Sequence, residues 1–169
     1  GDLWYMRRDS LFKHSSGATE STFMLKTGIT SPITCLTMLP NKICIGSHDG
    51  IFFYDRSSGK ETHVLRGIDI YRIFESSQKE LWIGTRMYGL YRINKKGEIR
   101  QVPFSPGSPT GISSWQIRDF VEDGERNIWF GTFDGLHKYS TKTGQYSLIQ
   151  IPKYVGGLNL SLIHISEPT

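Results

Sequence analysis

The chain has 169 residues, 37% of them apolar, enough to build a sizeable core and too many for a disordered polymer. Its net charge of +4 comes from 20 Lys and Arg against 16 Asp and Glu. The basic residues stand singly or in pairs, such as Arg7-Arg8 and Lys95-Lys96, so no stripe able to track a nucleic-acid backbone forms, and no apolar run approaches the roughly 18 residues of a membrane-spanning helix.

From the N-terminus onward one pattern is written four times: apolar, aromatic, apolar, Gly, Ser/Thr, then shortly afterwards Gly, apolar, aromatic. The copies are Leu3-Trp4-Tyr5-Met6-Arg7 with Ser10-Leu11-Phe12, Ile43-Cys44-Ile45-Gly46-Ser47 with Gly50-Ile51-Phe52, Leu81-Trp82-Ile83-Gly84-Thr85 with Gly89-Leu90-Tyr91, and Ile128-Trp129-Phe130-Gly131-Thr132 with Gly135-Leu136-His137. An interval of roughly 40 residues is the length of one β-propeller blade. Each copy reads as the second strand of a blade followed by the start of the third. Inner strands are expected at 33–38, 70–75 and 115–121, and outer strands at 21–26, 61–65, 98–102 and 145–150. Polar Gly-containing turns precede the outer strands at 16–17, 56–59, 95–97 and 141–144.

The predicted fold is therefore all-β: a β-propeller fragment of four-stranded antiparallel blades, about three complete plus partial ones, forming an open arc. Its units are a partial blade at 1–30, blades at 31–69, 70–113 and 114–157, and a last segment at 158–169 that is either a partial strand or a non-native tail. The chain starts inside a repeat, at Gly1-Asp2-Leu3-Trp4, which predicts a piece of a longer protein. The Pro-, Gly- and Ser-dense stretch 103–113 is a loop, because the repeat phase continues across it. Trp4, Trp82 and Trp129 are expected to pack between blades. Gly46, Gly84 and Gly131 end the second strand where neighbours crowd, and Gly89 and Gly135 open the third. Cys35 and Cys44 fall on neighbouring strands of one hairpin, compatible with a disulfide or with two buried thiols; Cys44 holds the place of Trp and so behaves as a packing residue.

The turns between second and third strands and the connections between blades share one face of a propeller. His48, Asp49, Arg86, Tyr88, Trp115, Phe133 and Asp134 are expected to gather there, with Arg7-Arg8-Asp9. Aromatic faces stack on sugar C–H groups and charged groups hydrogen-bond hydroxyls, so the set suits an oligosaccharide or another small ligand. Ser47-His48-Asp49 has the residue types of a hydrolytic triad, but adjacent residues at a strand end cannot converge. No phosphate-cradling loop, metal-ligand spacing or nucleophile motif is present, so no catalytic residue, cofactor or metal is expected.

The four motifs resemble the two-component-regulator propeller repeat, an acidic-Gly turn, apolar-Trp-apolar-Gly-Thr, then Gly-Leu-Tyr-Arg-Tyr. The copy from Glu122-Asp123-Gly124 through Ile128-Trp129-Phe130-Gly131-Thr132 to Gly135-Leu136-His137-Lys138-Tyr139 fits best, and Leu81 through Ile93 nearly as well. The earlier copies depart at Cys44 for Trp, Met6 for Gly and Ser10 for Gly. The resemblance implies a periplasmic ligand-sensing region of an inner-membrane receptor, responsive to glycan fragments. Its implied partners are further blades, a downstream β-sandwich and a kinase of the same receptor, with the whole protein a homodimer. Two rivals remain: a propeller scaffold for protein–protein interaction or dimerisation, and a fragment of a propeller-fold hydrolase or lyase.

Overall fold

The structure, a computed structural model, describes residues 3–149, the segment 23–26 as backbone only; the tail expected at 158–169 lies outside the described residues. The first sheet holds β1 (Leu3–Arg7), β2 (Ser10–His14) and β3 (Thr22–Lys26), and the second β4 (Ile33–Met38), β5 (Lys42–Ser47), β6 (Gly50–Asp55) and β7 (Glu61–Val64). The third holds β8 (Ile70–Glu75), β9 (Leu81–Thr85), β10 (Leu90–Ile93) and β11 (Ile99–Gln101), and the fourth β12 (Ile117–Glu122), β13 (Ile128–Thr132), β14 (Leu136–Ser140) and β15 (Gln145–Ile149). Every sheet is an antiparallel meander in chain order, and inner strands β4, β8 and β12 stand side by side across successive sheets. Three four-stranded blades and one partial, three-stranded one form an arc that does not close. One expectation shifts: the last inner strand begins at Ile117, not at residue 115. Ahead of it the Ser114 hydroxyl accepts from the Gln116 N–H, and the Trp115 carbonyl accepts from the Gly89 N–H, which folds the segment into a turn.

A lone blade has no inside, so the apolar side chains meet between sheets. Leu11, Ile43, Ile45 and Phe52 fill the first junction, Cys44, Ile51, Ile70 and Ile83 the second, and Trp82, Leu90, Ile117 and Phe130 the third. The motif glycines let these junctions close. A Cβ on Gly46 would lie 2.9 Å from Ile70 Cγ2, and one on Gly84 2.8 Å from the Ile117 carbonyl oxygen, so each admits the next blade's inner strand.

The motif Trp also obeys a cross-strand rule. Trp4 is paired with Lys13, Trp82 with Arg92 and Trp129 with Lys138, and each cation lies over the indole, at 5.7, 4.4 and 4.9 Å from the ring centroid. Where Cys44 replaces Trp, the cross-strand position is Phe53, so the aromatic moves to the other strand and no cation is needed. Arg92 lies 4.4 Å from both Trp82 and Tyr139 of the next blade, pairs with Glu80 through Nε and Nη2, and donates from Nη1 to the Tyr146 hydroxyl. Burial opposes its charge, but Glu80 and the two tyrosines hold its pKa above the ordinary range. The Trp129 indole N–H donates to Asp123 Oδ2 at 2.7 Å, whereas Trp82 has the shorter Ser76 at the corresponding place and its buried indole N–H is unpaired. Both cysteines are free, and burial pushes both thiols up.

The Ser/Thr after each motif Gly closes the following turn. Ser47, Thr85 and Thr132 are buried; each hydroxyl donates to the carbonyl of Gly50, Gly89 or Gly135 and accepts from the N–H of Asp49, Tyr88 or Asp134. Thr85→Val keeps the shape and removes both bonds, leaving the Tyr88 N–H without its acceptor while the Gly89 carbonyl keeps the Thr85 N–H. It is expected to cost about 1–3 kcal/mol in urea denaturation; unchanged stability would show that the hydroxyl is dispensable.

The 103–113 loop docks on the fourth sheet: the Pro109 carbonyl accepts from the Tyr146 N–H, and the Ser113 hydroxyl lies 3.0 Å from His137 Nε2. That nitrogen also accepts from the Ser113 N–H, so a proton on it would set two donors against each other. Burial holds His137 below the ordinary imidazole value of 6.5, with the Asp134 charge opposing. Below pH 6.5 the unfolded chain takes the proton first, so the stability from neutral His137 is present above that pH and is lost as pH falls toward the folded pKa. Urea midpoints from pH 7.5 to 5 are expected to fall less steeply for His137→Gln than for the parent; parallel slopes would refute this.

Candidate functional site

One face of the arc is assembled by a backbone device repeated in three blades. After the motif Ser/Thr, the N–H of His48, Arg86 or Phe133 donates to the carbonyl of Pro32, Asp69 or Gln116, the residue before each inner strand. A β-bulge follows in every case, between Ile33 and Cys35, Ile70 and Arg72, and Ile117 and Asp119. The extra residue of a bulge is unpaired and its side chain is re-aimed. These residues are Thr34, Tyr71 and Arg118. The frame is thus constant while the side chains it presents differ from blade to blade.

In the third and fourth blades those side chains meet. Arg118 Nη1 donates to the Tyr71 hydroxyl at 2.7 Å, and its guanidinium lies 5.0 Å from the Tyr71 ring centroid. The Arg86 guanidinium lies 5.5 Å from the same ring, with Nε 3.0 Å from Asp69 Oδ2. His48 Nε2 approaches from the second blade to 4.0 Å from Asp69 Oδ1, which is buried and accepts no hydrogen bond. Beside this group Arg72 pairs with Asp119 at 3.2 Å.

The remaining expected residues lie in different surroundings. Asp49 Oδ1 accepts from the Gly67 N–H at 2.7 Å, and the Asp49 carbonyl is approached by His63, so the residue is tied to the segment around β7. Trp115 stacks on Phe104 of the long loop, centroids 4.3 Å apart and planes 9° from parallel. The Tyr88 carbonyl accepts from Gln101 Nε2, while its ring is exposed. Phe133 is 74% exposed, and Asp134 belongs to the turn closed by Thr132. Of the seven residues, His48 and Arg86 are thus brought together, through Asp69. Asp69, Tyr71, Gln116 and Arg118 were not anticipated; a sequence signal does exist, since Tyr71 and Arg118 each follow the Ile that opens an inner strand.

Ser47, His48 and Asp49 diverge. The Ser47 hydroxyl is consumed by its turn, His48 faces Asp69, and Asp49 faces Gly67. This segment does not form a nucleophile, base and orienter.

No protein-family model matches the chain, and no curated protein matches it in sequence. Solved structures do. The extracellular domain of one hybrid two component system protein of Bacteroides thetaiotaomicron is 21% identical with a TM-score of 0.69, over 87% of this chain and 20% of its own. That of a second from the same organism is 21% identical with a TM-score of 0.58, over 78% of this chain and 18% of its own. Virginiamycin B lyase of Staphylococcus aureus is 17% identical with a TM-score of 0.67, over 91% of this chain and 53% of its own. The chain therefore has the β-propeller fold that these receptor ectodomains and this lyase share, and it spans about a fifth of the length of the ectodomains.

Proposed function

We propose that this chain is part of the ligand-sensing region of a bacterial two-component receptor, held outside the cytoplasmic membrane, and that it recognises a glycan fragment on the face built by Asp69, Tyr71, Arg86 and Arg118. The observation that carries the reading is this convergence of polar side chains from adjacent blades at one rim. Guanidinium forks offer donors to sugar hydroxyls, and the exposed rings of Tyr88, Trp115 and Phe133 offer apolar surface elsewhere on the turns. The fold shared with receptor ectodomains supports the same reading. Further blades, a β-sandwich, a kinase and a second copy of the receptor are its partners in this proposal.

The scaffold alternative draws on one observation. Phe133 and Met87, 74% and 60% exposed, both approach Gln116, the first by its backbone and the second through sulfur. On that reading Phe133→Ser abolishes self-association in sedimentation without affecting any sugar.

Calorimetric screening of the chain against an oligosaccharide array, followed by titration of the best binder, tests the sensing reading. Arg86→Ala is expected to weaken that binder by about 1–3 kcal/mol, through loss of charge-assisted hydrogen bonds. Its stability should change little, because the Arg86 side chain is 52% exposed. Binding unaffected by Arg86→Ala would remove this face from the site.

A further inference from the structure

The face is not electrically balanced. Arg86 pairs with Asp69 and Arg72 with Asp119, but Arg118 has only neutral acceptors, the Tyr71 hydroxyl at 2.7 Å and Gln116 Oε1 at 3.4 Å. Among the described residues it has no ion-pair partner. A second guanidinium, that of Arg86, lies 5.5 Å from the centroid of the same Tyr71 ring. A partly buried guanidinium held by neutral groups forgoes part of its hydration and gains no countercharge in return. An anion at Arg118 supplies that countercharge.

Asp69 is committed to the protein: Arg86 holds it through Oδ2, and its buried Oδ1 faces His48 Nε2 at 4.0 Å. Arg118 is thus the guanidinium of this group that lacks a countercharge, and the ligand it suits carries a negative group.

We propose that the face selects acidic saccharides, the Arg118 guanidinium receiving the sugar carboxylate. This rests on the glycan-sensing reading and narrows it to one chemical class. The β-bulge makes Arg118 the specificity-determining residue. The same backbone position carries Tyr71 and Thr34 in the two preceding blades, so the charge is a property of this one side chain and not of the frame.

The test titrates the 169-residue chain with trigalacturonate, with its methyl ester and with neutral galactotriose, at two salt concentrations, for the parent, Arg118→Gln and Arg118→Lys. Gln keeps a donor for the Tyr71 hydroxyl and removes the charge; Lys keeps the charge and loses the fork. Trigalacturonate is expected to bind about tenfold or more tightly than the ester and the neutral trimer, with a salt-dependent affinity. Arg118→Gln should abolish that difference, the acid falling to the affinity of the ester, and Arg118→Lys should restore part of it. Equal binding of acid, ester and neutral trimer overturns the acidic class and leaves glycan sensing standing. Binding of none of the three overturns both. A preference for the acid that survives Arg118→Gln overturns the assignment of Arg118.

Discussion

A blade of this protein cannot shield its own apolar side chains, and everything else in the structure follows from how closely two blades approach. Gly46 and Gly84 set that approach. Their missing side chains admit Ile70 and Ile117 of the following blade, which brings the inner strands into contact and makes the junction, not the sheet, the unit that excludes water. The pairs of Trp4 with Lys13 and of Trp82 with Arg92 belong to the first and third of these junctions. Arg92 shows how much one such residue joins: it spans Trp82 of its own blade and Tyr139 and Tyr146 of the next, with Glu80 neutralising it.

The candidate site depends on that approach as well. Tyr71 and Arg118 belong to different blades and touch only because β8 and β12 are adjacent. The turns on this face are closed internally by buried Ser and Thr and tied to the start of the inner strand by one backbone bond per blade, so their side chains are free to vary without loss of the frame. Rigid backbone with variable side chains is what a recognition surface needs.

Much of the fold was legible in the sequence because the motif records local constraints. The alternation around Trp82 and Trp129 marks a second strand, and the Ser/Thr and Gly that follow mark its turn. Even the Cys44 exception was readable as packing, although its compensation by Phe53 needed the cross-strand register. The site was legible only as a set of turns. Asp69, Tyr71 and Arg118 lie at the start of inner strands and look like ordinary strand residues until the bulges are seen, and a bulge is a property of the pairing between two strands. The Tyr71 and Arg118 contact joins residues 47 apart in the chain, beyond the reach of any local pattern. Topology assigns Asp49, Trp115 and Phe133 to turns, but their side chains go to partners, or to solvent, that topology does not dictate.

Native-state amide hydrogen exchange across increasing denaturant tests the central claim most directly, that junctions and not sheets are the cooperative units. The amides of β8 and β9, flanked by a junction on each side, are expected to be the best protected and to merge with β12 and β13 in one opening of common free energy, with β14 and β15 opening earlier. Four sheets that each open independently, with β8 and β9 no better protected than β14 and β15, would contradict it.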